Sequence, residues 1–286
     1  MTSPTLRGVL YGHGHMGRLH AAKMALRADV SLSVVDPAQG LDPVITGRPD
    51  FAIVATPTTV HAHVATPLLS QGIPCLVEKP LALGLKEAHI LATHPHLSVG
   101  HIERFNPVFQ VIEDVQAEYI EIERLAPFNQ RSTDVDVIDD LMIHDLDLLA
   151  RFMPGELIDV RAKGVGIMTN KPDVVNARLE FRRPNGSMGV VNLSASRVST
   201  VSVRTWRLVE PGTYWSLDLQ NRTAKNVLWG NAEMETVQLD VPIMDPLTAE
   251  HSAFLNAVRG RQPFPCTGIE ALVALKLAQR IRTCLH

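Results

Sequence analysis

Three groups of residues have the types and spacing to do chemistry. Gly12, Gly14 and Gly17 follow a short apolar run in the pattern G-x-G-x-x-G, with His15 and Met16 between the last two. The first glycine permits a tight turn. The second lets a pyrophosphate approach the backbone, and the third lets a helix pack close to the strand. The helix that follows presents unpaired N–H groups and a positive dipole end to the phosphates. Asp36 ends a second apolar run, nineteen residues after Gly17. A carboxylate there accepts hydrogen bonds from both adenine-ribose hydroxyls and repels a 2′-phosphate, so the spacing favours NAD over NADP.

The second group is Glu78-Lys79-Pro80. Lys79 follows the fourth strand-like run, where its ammonium would reach a reacting oxygen at the cofactor's edge. The ordinary alternative is a solvated loop lysine. The third group is Asp140, His144 and Asp147, at i, i+4 and i+7 on one helix face. A carboxylate one turn from an imidazole orients it and tunes its basicity, as a general base requires. The alternative is an amphipathic helix whose acids face water. The pairs His13/His15, His61/His63 and His94/His96 have no Cys, Asp or Glu cluster to complete a tetrahedral set, so no metal is expected.

The elements that must position these groups alternate at first. Strand patterns at 6–11, 30–35, 51–55, 73–77 and 97–101 are separated by helix patterns at 18–26, 60–70 and 85–92. That series predicts an α/β Rossmann domain, a doubly wound and mostly parallel sheet, over residues 1–102. Ligands then bind beyond the carboxyl ends of the strands. This places Gly12, Gly14, Gly17, Thr56, Pro57, Lys79 and the stretch 101–107 on one edge, with Arg104 and Asn106 in the last of these. From residue 103 the pattern changes. A helix over 107–115, a strand over 119–125 and a helix over 137–152 precede seven strand-like runs between 157 and 241 without intervening helices. Helices over 248–259 and 269–283 close the chain. Residues 103–286 read as an α+β domain with an open, mainly antiparallel sheet.

Composition narrows the function. A net charge of −3 implies no nucleic-acid partner. No apolar run approaches the length of a bilayer span, and Met1-Thr2-Ser3-Pro4 does not read as a signal peptide. Three cysteines, Cys75, Cys266 and Cys284, form an odd, sparse set that points to a reducing compartment, the cytoplasm.

The motifs, in order, resemble the Gfo/Idh/MocA oxidoreductases: Gly12-x-Gly14-x-x-Gly17, Ala55-Thr56-Pro57 with His61 downstream, Glu78-Lys79-Pro80, Gly100-His101 and Asp140-x-x-x-His144-Asp145. The resemblance covers essentially the whole chain. It implies a two-domain NAD(P)-dependent enzyme that oxidises or reduces a sugar or cyclic polyol. It also implies that Lys79, Asp140 and His144 form the catalytic group, and that the second domain's sheet makes a homo-oligomer, a dimer or tetramer. His15, Met16, Thr56, Pro57, His61, Glu78 and Asn106 fall to the cofactor. Arg104, Asn106 and Arg131 fall to the nicotinamide or to the substrate's phosphate and N-acetyl groups. The segments Gly12–Gly17, His101–Pro107 and Arg131–Asp136 are similar to the nucleotide-sugar branch, which oxidises the 3-hydroxyl of UDP-N-acetylglucosamine to a 3-keto sugar for lipid A precursors. One departure is Thr58, where the family usually has Asn. His144 and Lys79 are both candidates for the base. The rival readings are an enzyme for another sugar or polyol and a non-catalytic NAD-binding regulator.

Overall fold

A computed structural model describes residues 4–42, 44–112, 115–129, 135–230 and 234–285. The chain forms two units. One comprises Met1–Ile102 with Asp245–Val273, the other Glu103–Met244 with Ala274–His286.

In the first unit, β1 (Leu6–Tyr11), β2 (Val30–Val35), β3 (Phe51–Val54), β4 (Cys75–Glu78) and β5 (Leu97–Gly100) form a parallel sheet in the order β2-β1-β3-β4-β5. β3, β4 and β5 are buried along their whole length. Strands covered on both faces read as continuous rather than alternating apolar runs. The crossovers are α1 (His15–Ala25), α2 (His61–Ser70) and α3 (Leu85–Ala92). α1 starts at His15 rather than at the expected residue 18, because Gly14 is already its N-cap and Arg18 N–H bonds the Gly14 carbonyl at 3.0 Å. The strand order reverses between β1 and β3, which opens a ligand crevice at their carboxyl ends.

α5 (Pro246–Val258) comes late in the sequence but belongs to this unit. Asp245 caps it, accepting from Thr248 N–H at 2.8 Å, and Pro246 takes the first turn. Phe254 and Leu255 join Leu10, Met24, Phe51, Ile53 and Leu76 in one core cluster. Phe254 meets Phe51 edge-on at 5.9 Å. Burial of that apolar face draws residues 245–273 away from the expected 103–286 domain.

In the second unit, eight strands form one sheet in the order β13-β12-β11-β10-β6-β9-β8-β7. They are β6 (Tyr119–Leu125), β7 (Glu156–Val165), β8 (Val174–Arg182), β9 (Met188–Ser196), β10 (Val203–Glu210), β11 (Thr213–Asp218), β12 (Thr223–Trp229) and β13 (Met234–Leu239). Tight turns join neighbours, with Gly186 and Gly212 at positive φ, so most pairs are antiparallel. β6 and β9 alone among these pairs run parallel. Where a helix is expected over 107–115, residues Pro107–Gln110 form a 3₁₀ turn, preceded by another at Ile102–Phe105, while residues 113 and 114 lie outside the described residues. The Asn106 side chain accepts from Val108 N–H and restarts the chain there. The helix expected over 137–152 is a π turn at Ile138–Met142 followed by α4 (Ile143–Phe152). The last helix is α6 (Gly268–Thr283). Among the described residues no helix is long and apolar enough to cross a membrane.

Trp206 centres the second core. Its ring lies 5.6 Å from Phe109 and 5.7 Å from Phe152, and its Nε1 donates to Asp145 at 2.9 Å. Trp206→Ala is expected to cost the second unit about 3–5 kcal/mol. Urea unfolding measures it, and a loss below about 1 kcal/mol would remove Trp206 from the core.

Candidate active site

The glycine turn divides its work among three residues. Gly12 has φ +90°, and a Cβ there would stand 2.6 Å from the Ala55 carbonyl oxygen. A Cβ on Gly17 would overlap the Gly12 carbonyl oxygen. These two let β1, β3 and α1 approach. Gly14 differs, since a Cβ on it would meet nothing within 4 Å. It faces open space before α1, a helix with no side-chain cap. That space, lined by backbone N–H groups, fits a pyrophosphate. His15 and Met16 occupy the first turn of α1. Asp36 follows β2, and its Oδ2 accepts from His13 N–H at 2.7 Å and from Gln39 Nε2 at 2.9 Å. The carboxylate is thus tied to the turn at the place an adenine ribose occupies in such folds. Thr56 and Pro57 follow β3 on the same edge.

Lys79 directly follows β4 at that edge, and its bond to Pro80 is cis. Two expected cofactor contacts turn inward here. Glu78 is buried. Its Oε1 takes a bond from His20 at 2.8 Å, and its Oε2 accepts from Lys79 N–H at 3.2 Å. His61 is buried with its ring nitrogens on the carbonyl oxygens of Pro80, at 3.1 Å, and Thr56, at 2.9 Å. It joins the loops after β3 and β4 rather than facing a ligand. Burial pushes its imidazole pKa down.

In the second unit the π turn is clamped. Asp136 Oδ1 accepts from Ile138 and Asp139 N–H, both at 3.1 Å. Arg282 of α6 bonds Asp136 at 2.8 Å and Asp139 at 2.7 Å. The i→i+5 bond from Ile143 N–H to Ile138 O closes the turn. A turn of that width lines up residues four apart better than an α-helix does, and Asp140 and His144 are such a pair. Both are half-buried, whereas Asp139, Asp145 and Asp147 are buried. Asp147 leaves the expected face, held by Arg104 at 2.6 and 2.8 Å.

That pairing engages Nε and one terminal nitrogen of the Arg104 guanidinium. Asn106 is consumed internally. Its Nδ2 donates to Glu103 at 3.0 Å and to the Leu219 carbonyl at 3.1 Å, while its Oδ1 caps Val108. Arg131 lies outside the described residues.

A dinucleotide cradle at a topological switch point and a lysine on its edge define the class, an oxidoreductase that uses a nicotinamide dinucleotide. Known proteins fall in with it. The family described as "Oxidoreductase family, NAD-binding Rossmann fold" matches residues 15–95. The UDP-N-acetylglucosamine 3-dehydrogenase of Acidithiobacillus ferrooxidans is 34% identical over 98% of this chain and 97% of its own. A solved structure of that enzyme superposes with a TM-score of 0.88 over 99% of this chain and 98% of that one. The rhizopine catabolism protein MocA of Rhizobium meliloti is 24% identical over 94% of this chain and 92% of its own. A myo-inositol dehydrogenase from Corynebacterium glutamicum shares the fold, with a TM-score of 0.71 at 21% identity over 98% and 96% of the two chains. The chain belongs to the Gfo/Idh/MocA oxidoreductases.

Sequence reasoning passed over His20, Glu250 and His251, all buried in the first unit. His20 had a signal, since Gly17, His20 and Met24 form the buried stripe of α1 at helical spacing. Glu250 and His251 had none, because only the packing of α5 brings them in. The Glu250 oxygens have no hydrogen-bond partner among the described residues. Burial and the nearby Glu78 charge push its pKa well above the usual carboxylate value. Burial also pushes Glu78 up, but the bond from His20 and the charge of Lys79 outweigh it and hold that pKa low. Glu250 therefore stays protonated in the fold while its unfolded counterpart ionises above about pH 4.3, so it costs stability as pH rises towards its folded pKa. Glu250→Gln is expected to raise the melting temperature more at pH 8 than at pH 5. An equal shift at both would show that Glu250 does not hold its proton.

Proposed function

We propose that the protein oxidises the 3-hydroxyl of UDP-N-acetylglucosamine, using NAD. The observation that carries this is the 34% identity to a UDP-N-acetylglucosamine 3-dehydrogenase over 98% of this chain, and Lys79, Asp140 and His144 are the residues to which we give the chemistry. Bound NAD supplies the hydride acceptor, C4 of its nicotinamide ring. His144 takes the hydroxyl proton as the C3 hydrogen leaves as hydride and C3–O becomes a carbonyl. Asp140 orients the imidazole. Lys79 donates a hydrogen bond to the same oxygen and stabilises the negative charge that develops on it. Asp36 supports NAD over NADP, because a 2′-phosphate beside its carboxylate is repelled.

The 3-keto product suits transamination, which fits a supply of amino-sugar lipid A precursors. The free thiols of Cys75, Cys266 and Cys284 fit a reducing cytoplasm. The sheet face that carries Asn176, Arg178 and Arg182, exposed along β8, is the surface assigned to a dimer or tetramer contact.

Purified protein mixed with NAD and UDP-N-acetylglucosamine is expected to raise reduced-nicotinamide absorbance, with a 2-oxo acid added in parallel as a recycler of bound NADH. No signal with NAD binding intact would move the substrate to another sugar or polyol. Lys79→Ala is expected to keep NAD binding by thermal shift and to lose turnover by about 10²-fold or more. Unchanged turnover in that variant would remove Lys79 from the chemistry and leave the regulator reading in its place.

A further inference from the structure

Four ionisable side chains meet inside the first unit beside Lys79, and the chemistry above uses none of them. They are His20 on α1, Glu78 at the end of β4, and Glu250 and His251 on α5, all buried. His20 Nδ1 lies 2.7 Å from His251 Nε2, and His20 Nε2 lies 2.8 Å from Glu78 Oε1. The far oxygen of Glu78 accepts the Lys79 backbone N–H at 3.2 Å. β5 leaves room for this carboxylate at Gly100, where a Cβ would stand 3.0 Å from Glu78 Oε1.

We propose that His20 and His251 are positioning residues, which act through Glu78 to fix the backbone of Lys79 and so the placement of its ammonium on the substrate oxygen. The inference rests on the role given to Lys79 above. It has a direction. His251 Nδ1 has no hydrogen-bond partner among the described residues. A buried lone pair without a donor is tolerated better than a buried N–H without an acceptor. The proton of His251 therefore sits on Nε2 and is donated to His20 Nδ1. His20 in turn carries its proton on Nε2 and donates it to Glu78. Burial, with the Arg27 charge nearby, pushes the His251 pKa down to about 3, so this ring is neutral and carries a single N–H. Lys23 and Asp245 also face His251, while His61, Lys79 and Glu250 face Glu78. Glu250 does not compete for His20, because it stays neutral.

The order asks His20 for one donor and one acceptor, which a glutamine amide reproduces and a leucine does not. In the NAD-loaded enzyme, His20→Leu is expected to lower kcat about tenfold or more, the scale of an ångström-sized misplacement. KM for the sugar stays within about threefold, since no substrate contact is lost. His20→Gln restores most of kcat. In a Lys79→Ala background His20→Leu is expected to add nothing further, because its effect passes through Lys79. A full additional loss in that background would make His20 merely structural and overturn the proposal.

A second readout needs no turnover. The Lys79 backbone amide proton, read by NMR in the NAD complex, is expected to shift in His20→Leu and to return in His20→Gln. An amide unmoved in both overturns the proposal. On the unsubstituted enzyme, ¹⁵N-labelled histidine is expected to show His20 and His251 each protonated on Nε2 alone, and a proton on His251 Nδ1 would reverse the chain and sink it. Loss of activity in Lys79→Ala with none in His20→Leu defeats this inference only. Full activity in Lys79→Ala defeats the reading of Lys79 itself.

Discussion

A guanidinium cannot be left alone inside a protein, and Arg124, the penultimate residue of β6, is buried in the second unit, 2% exposed. Asp145 takes it in a bidentate pair at 2.6 and 2.7 Å, and Glu103 adds a third bond at 3.0 Å. Burial alone would raise the Glu103 pKa, but the charges of Arg124 and Arg204 hold it below the usual carboxylate value. Trp206 supplies the remaining donor to Asp145. These bonds leave α4 one rotation about its axis. Asp145 must face the sheet, and His144, one residue earlier, is turned about 100° away from it. Arg104 repeats the constraint on Asp147. The half-buried face left to Asp140 and His144 follows from where the buried carboxylates are obliged to point.

The first unit solves a similar problem differently. The buried cluster beside Lys79 joins two histidines and two carboxyls rather than an arginine pair. Glu78 is charged and bonded, while Glu250 is neutral and has no hydrogen bond among the described residues. Two acids so near each other cannot both ionise in a dry interior. The environment decides which one does, and it favours the acid next to Lys79.

How much of this was legible in the sequence depended on the range of the physics. Gly12, Gly14, Gly17 and Asp36 were legible because a tight turn and its following acid are local matters of backbone and spacing. The parallel sheet was legible because Phe51–Val54 and Cys75–Glu78 are continuous apolar runs. The turn expected after Asn106 does start there, with Asn106 as its cap and Pro107 in its first turn, but it ends as a 3₁₀ turn at Gln110. The π turn was hidden for another reason. Residues 137–149 have an apolar pattern that an α-helix also satisfies, and the added width depends on Arg282, far away in the chain. Asn106 looked like a ligand contact by type, and only tertiary pairing shows its amide bonded to Glu103 and the Leu219 carbonyl.

The place of α5 also bears on how the chain comes to be made. Phe254 and Leu255 complete the core built on Leu10, Phe51, Ile53 and Leu76. A ribosome releases that sheet first, then all eight strands of the other unit, and only afterwards the helix that covers it. The nucleotide-binding part therefore waits with apolar surface uncovered while its neighbour is translated. A nascent chain stalled before residue 246 carries the whole glycine turn and still lacks the lid of its own core, which makes it a natural client for a chaperone.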